Sequence, residues 1–158
     1  MKRIAFLGCL ALACCGKKPA GQAVYGPNCG ICHHGGSGMP GETPPLVGRV
    51  DFIAQTPEGR HYLANVLLNG LRGRFTTQGY RYNYSMPAYR DRLTDQQIAD
   101  TLNWLIARGN IKPSPTITPA EVTSARAQQG DPAASYQERQ LLEQKQPLFP
   151  KSMTFPQS

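Results

Sequence analysis

The chain has 158 residues, 40% hydrophobic and only 17% charged, with 16 glycines and 14 prolines. That length fits one ordinary domain with tails. So much Gly and Pro with so little charge excludes coiled coils and long helical bundles. A formal net charge of +7 favours an anionic partner without specifying one.

The chain begins Met1-Lys2-Arg3, and a short run of apolar and small residues from Ile4 to Cys15 ends at Gly16-Lys17-Lys18-Pro19. This predicts an export signal over 1–15, too short to span a bilayer, which takes ~20 apolar residues. Cys14 and Cys15 stand where the signal ends. That placement resembles a bacterial lipoprotein signal, in which Cys14 or Cys15 is lipidated and tethers the chain to a membrane. An ordinary cleaved signal is the alternative. Residues 16–20 are then a short tether, and the folded part is expected on the periplasmic side of a bacterial membrane.

Without the leader, which holds Cys9, Cys14 and Cys15, only Cys29 and Cys32 remain. They stand in Cys29-Gly30-Ile31-Cys32-His33, the C-x-x-C-H attachment signature of c-type haem. Two thiols at this spacing add across the two vinyl groups of one porphyrin edge. The next residue then places an imidazole nitrogen on the iron. Zinc wants four ligands, and the chain adds only His33, His34 and His61. A redox dithiol needs a βαβ setting that is absent, and a plain disulfide leaves His33 unexplained. One covalent haem c is therefore the expected cofactor. Gly35-Gly36-Ser37-Gly38 lacks the strand, helix and lysine of a phosphate loop.

A middle helix is expected near Glu58 to Leu68, with Tyr62, Leu63, Val66 and Leu67 inward and Asn69-Gly70 ending it. Of the methionines beyond the leader, Met39 is too close to Cys32 to wrap round a porphyrin, and Met153 lies in a Pro-rich tail. Met86 stands in Tyr84-Ser85-Met86-Pro87-Ala88-Tyr89, where Pro87 stiffens the loop. A thioether on the sixth iron position raises the potential and blocks small ligands. Met86 is accordingly the expected second axial ligand, opposite His33. A last helix over Thr94 to Arg108 begins with a Thr94/Gln97 capping box. It carries Ile98, Leu102, Leu105 and Ile106 on one face.

Residues 21–109 resemble a class I, mono-haem c-type cytochrome of the bacterial periplasmic or membrane-tethered kind. The resemblance rests on Gly21-Gln22-Ala23-Val24-Tyr25 before Cys29, on Thr43-Pro44-Pro45-Leu46-Val47-Gly48, on Leu67 to Gly73 with Met86-Pro87-Ala88, and on Thr94 to Arg108 with Trp104. It implies an all-α fold of three to four short helices around one haem, over residues 21–110. It also implies that the Pro44 carbonyl takes the His33 N–H. Leu46 and Tyr84 are further haem-contacting candidates. The subgroup serves as electron-entry or relay subunits of dehydrogenases and oxidases.

Residues 111–158 have no such match. Pro113, Pro115 and Pro119 predict a stiff linker. Short helices are expected from Thr118 to about Gln129 and from Asp131 to about Gln144, as a loose tail or as an arm packed on the core or on a partner. Arg72, Arg74, Arg81, Arg90 and Arg92 bracket Met86 with Asp91 as the one acid among them. This basic block is a candidate docking face for acidic redox proteins. Neither nucleic acid nor a small-molecule substrate is expected. The expected function is electron transfer between a dehydrogenase or quinol-oxidising complex and a terminal oxidase or similar acceptor. The alternative is a peroxidase-like enzyme or gas sensor with an open iron position, for which His34 and His61 are the remaining histidines.

Overall fold

Side-chain caps set where most of the helices begin. The computed structural model describes residues 16–77 and 79–150; the expected export signal, Cys14, Cys15 and Met153 lie outside the described residues. Helix α1 spans Ala20–His33 and closes on His34, whose φ of 45° lets its N–H reach the Gly30 carbonyl. A single 3-10 turn, His34–Gly36, follows. Helix α2, Val50–Ile53, is one turn long. Helix α3, Pro57–Asn69, starts at Thr56, whose side chain accepts the Gly59 N–H. Helix α4, Asp95–Ala107, starts at Thr94, and the Thr94/Gln97 capping box is formed in both directions. The expected middle and last helices are thus present, each displaced by one residue at either end.

Strands β1, Phe75–Thr77, and β2, Tyr80–Tyr82, pair antiparallel with Phe75 opposite Tyr82. This hairpin departs from the purely helical expectation. Gly79, at φ 80°, supplies a left-handed turn residue, and Phe75 stacks on Tyr82 with ring centroids 5.3 Å apart. Over residues 21–110 the described α-helices are the four α1 to α4, as expected there, and two further helices follow in the C-terminal segment.

The core forms where α1 meets α4. A Cβ on Gly21 would lie 2.0 Å from the Asp100 carbonyl oxygen, so this approach requires glycine. Tyr25 and Trp104 meet across the same contact, ring centroids 4.8 Å apart. Ile98, Leu102, Leu105 and Ile106 of α4 are buried with Tyr62, Leu63 and Leu67 of α3, and Val66 packs on this cluster. Each large apolar side chain contributes about 1.5–3 kcal/mol.

Helices α5, Pro119–Arg126, and α6, Pro132–Lys145, begin at the caps Thr118 and Asp131. Helix α5 packs on α3 and α4, and α6 packs on α3. Ile117, Val122, Ala125, Leu142 and Leu148 belong to the same apolar cluster as α1, α3 and α4. Ion pairs fasten the edges: Arg60 to Glu121 at 2.7 Å and Arg126 to Asp95 at 2.6 Å. His61 Nδ1 and Glu138 Oε1 lie 2.8 Å apart. The segment is therefore an arm packed on the core. No helix among the described residues is long and apolar enough to cross a membrane.

Candidate functional site

The last turns of α1 bring Cys29, Cys32 and His33 to the end of one helix. Cys29 is buried, Cys32 is exposed, and both thiols are free. Burial, reinforced by Cys32, pushes the Cys29 thiol up to about 11. It stays protonated at neutral pH. His33 is buried, and its pKa falls to about 4. Desolvation is the main cause; the Pro44 carbonyl opposes it, and Arg49 and His34 add to it. The imidazole is therefore neutral at pH 7 and keeps a nitrogen lone pair for a metal.

A loop folds back over this helix end. Thr43 Oγ1 donates to the Cys32 carbonyl at 2.9 Å, and Gly38 N–H donates to the His33 carbonyl at 3.2 Å. Leu46 and Val47 both donate to the Gly36 carbonyl, at 2.9 and 3.1 Å. These bonds hold Pro44 over His33 and pack Leu46 on the core. The Pro44 carbonyl acts on the ring, yet His33 Nδ1 makes no hydrogen bond of ordinary geometry. Met39 is tied up in this loop, bridging Thr43 with backbone bonds of 2.8 and 2.9 Å.

Met86 is held from two sides. Its backbone exchanges both bonds with Leu71, at 2.8 and 3.1 Å, and its side chain packs on the core cluster that includes Cys29. Three residues on, Tyr89 N–H donates to the Leu67 carbonyl at 2.8 Å, and its hydroxyl donates to the Asn28 carbonyl at 2.5 Å. The loop is thus stapled both to the end of α3 and to α1 one residue before Cys29. Tyr84, in the same loop, is 69% exposed and lies outside the core.

Of the five arginines around Met86, Arg72, Arg74, Arg81 and Arg92 are exposed. Arg90 is not free for docking, and here the expectation is corrected. Its guanidinium donates to Asn69 Oδ1 at 2.7 Å, to the Arg126 carbonyl at 2.7 Å and to the Gln128 carbonyl at 2.9 Å. It fastens the arm to the loop after α3. Arg126 answers by donating to the Arg90 carbonyl, and to the Leu93 carbonyl at 2.8 Å. His34 is exposed, and His61 is engaged by Glu138 and Asn65.

Two residues the sequence reading passed over are buried arginines, Arg49 and Arg139. The signal for Arg49 was there: it interrupts the apolar stretch Leu46-Val47-Gly48-Arg49-Val50. The side chains present suit a covalent porphyrin. They offer two free thiols, a neutral buried imidazole and a thioether on the same core. They also leave buried polar atoms without partners: His33 Nδ1, Arg49 Nε, Arg139 Nε and Nη1, and the Tyr82 hydroxyl.

Comparison with known proteins agrees with that chemistry. A family model described as cytochrome c oxidase, cbb3-type, subunit III matches residues 16–105. Cytochrome c-552 of Thermus thermophilus is 38% identical over 142 residues, which cover 86% of this chain and 91% of that protein. The cytochrome c subunit of a quinone-dependent alcohol dehydrogenase from Gluconacetobacter polyoxogenes is 32% identical over 108 residues, covering 67% of this chain and 22% of that subunit.

Proposed function

From the premise that the chain belongs to the mono-haem c-type cytochromes, carries one covalent haem c and serves haem-based electron transfer, we propose that it is a relay with His33 and Met86 as axial iron ligands. Cys29 and Cys32 supply the two thioether links. The haem stores one electron at a time, and this chain's residues decide how readily it accepts one and who can approach. The reading is carried by the paired placement of His33 and Met86. A neutral buried imidazole ends α1, and Met86 is pinned on the same core by Leu71 and by the Tyr89–Asn28 staple. A filled sixth position keeps out small ligands and raises the potential. The Pro44 carbonyl orients His33, and Leu46 packs against the haem.

The test is Met86→Ala. The parent in its oxidised form should show a methionine-to-iron charge-transfer band and, reduced, should refuse carbon monoxide. The variant should lose the band, bind carbon monoxide and fall in potential. A parent that binds carbon monoxide freely would rule Met86 out as a ligand.

Exposed Arg72, Arg74, Arg81 and Arg92 bracket Met86 along the chain and suit an acidic docking surface on a redox partner. Such charge mainly speeds and orients encounter, which leaves affinity weak enough for turnover. The partners in this reading are a dehydrogenase or quinol-oxidising complex on one side and a terminal oxidase or similar acceptor on the other. The similarity to a cytochrome subunit of a quinone-dependent dehydrogenase supports that placement. The relay is exported and held at the periplasmic side of a membrane by lipid on Cys14 or Cys15.

A further inference from the structure

Two stretches of irregular backbone flank Met86 in space and in sequence, and the C-terminal arm grips both. The first is Leu71 to Arg74. Leu71 exchanges both backbone bonds with Met86, at 2.8 and 3.1 Å. The residues after it are bonded to α6. Arg72 N–H donates to the Pro132 carbonyl at 3.0 Å, and the Tyr136 hydroxyl donates to the Arg74 carbonyl at 2.5 Å. Between them stands Gly73, where a Cβ would lie 2.2 Å from the Tyr136 ring. The start of α6 therefore lies directly on the stretch that pairs with Met86.

The second stretch is Arg90 to Leu93, after the Tyr89 staple. Arg126, the last residue of α5, donates to the Arg90 carbonyl, and to the Leu93 carbonyl at 2.8 Å. Asp95 holds the Arg126 guanidinium in place at 2.6 Å. The Arg90 guanidinium returns two bonds, to the Arg126 carbonyl at 2.7 Å and to the Gln128 carbonyl at 2.9 Å. The arm also docks by burying Ile117, Val122, Ala125, Leu142 and Leu148 in the core cluster. Its bonds to the two flanks come on top of that packing.

A thioether carries no charge, so its hold on a metal against a competing ligand depends on its effective concentration there. Effective concentration rises as the tether is stiffened, and a site held in its bound geometry gives up less freedom on binding. We propose that Tyr136 and Arg126 are positioning residues for Met86, holding the flanks of its loop so that the sulfur stays on the iron. The arm thereby sets how readily a competing ligand displaces the methionine. The inference rests on Met86 as axial ligand.

The test uses the full chain with covalent haem in its oxidised form. Tyr136→Phe, Arg126→Lys, the double variant and Leu142→Ala are compared with the parent. Tyr136→Phe keeps the ring against Gly73 and loses the hydroxyl. Arg126→Lys keeps a charge beside Asp95 and loses the guanidinium fork. Leu142→Ala loosens the packing of α6 and leaves both grips in place. Imidazole is titrated while the methionine-to-iron band is followed, and thermal unfolding is read on the same samples. Each single variant should bind imidazole about fivefold more tightly than the parent, the equivalent of one net hydrogen bond, and the double variant more tightly than either. Leu142→Ala should lower Tm and keep the parental imidazole affinity. Parental affinity in both single variants would overturn the assignment, and should Arg126→Lys fail to fold, parental affinity in Tyr136→Phe alone does so. An equal gain in Leu142→Ala would overturn it too, by showing that any loosening of the arm suffices. A parent without the methionine-to-iron band would remove Met86 as ligand and this inference with it. A parent with the band and unresponsive variants removes the inference alone.

Discussion

Replacing Gly70 by alanine isolates how firmly the fold holds Met86. Gly70 ends α3 at φ 78° and ψ −174°, a region open essentially to glycine, and forcing another residue there costs about 1–3 kcal/mol. A Cβ at this position would also lie 2.5 Å from the Met86 carbonyl oxygen and 3.1 Å from the Ala88 nitrogen. The carbonyl cannot yield cheaply, because it accepts the Leu71 N–H at 3.1 Å. Breaking that bond adds about 1 kcal/mol. We expect Gly70→Ala to cost about 3 kcal/mol in all, seen as a Tm lower by roughly 6–12 °C. Gly79→Ala is the control: φ is 80° but nothing lies within 4 Å of the added methyl, so only about 1–2 kcal/mol of backbone strain applies. Thermal unfolding gives the difference, and the methionine-to-iron band in oxidised protein should weaken in Gly70→Ala alone. Equal destabilisation of the two variants, with the band intact in both, would refute the view that Met86 is positioned by its contact with Gly70.

Cys29→Ser and Cys32→Ser should each lower the yield of stable haem protein, measured by haem stain against total protein, and Cys29→Ser more so because its sulfur is buried. The arm should loosen in acid. The Asp95 carboxyl is held below its ordinary value by the Thr123 hydroxyl and by Arg126; for Glu121, burial pulls upward and hydrogen bonds from Arg60 and Thr118 outweigh it. Groups with depressed folded pKa values stabilise above the unfolded values and lose that stability as pH falls through them. Hydrogen exchange in α5 should therefore quicken below about pH 4 before α1 and α4 respond, and Asp95→Asn should remove part of the dependence. Mass spectrometry of mature protein should find lipid on Cys14 or Cys15; an unmodified N-terminus beyond Cys15 would leave a diffusing carrier.

The sequence by itself determined the local features. Thr94 and Gln97 mark the start of α4 because a capping box is a contact between residues three apart. Pro119 and Pro132 mark α5 and α6 because proline suits a first helical turn. Cys29, Cys32 and His33 announce haem chemistry because thioether attachment demands that spacing. Legible signals of this kind depend on neighbours along the chain. The tertiary structure decided what depends on distant residues. The hairpin was missed because two three-residue strands carry too short a pattern, and it is settled by the stacking of Phe75 on Tyr82. Arg90 reads as one more surface charge until Asn69, Arg126 and Gln128 converge on its guanidinium. The segment after residue 110 reads equally as tail or arm, because α5 and α6 have modest apolar faces; Ile117, Val122 and Leu142 acquire their meaning only from the α3 and α4 surfaces that bury them. Arg139 was invisible for the same reason, and Arg49 showed only as a break in an apolar stretch. Arginine is ordinarily at the surface, and burial is a property of everything packed around a side chain.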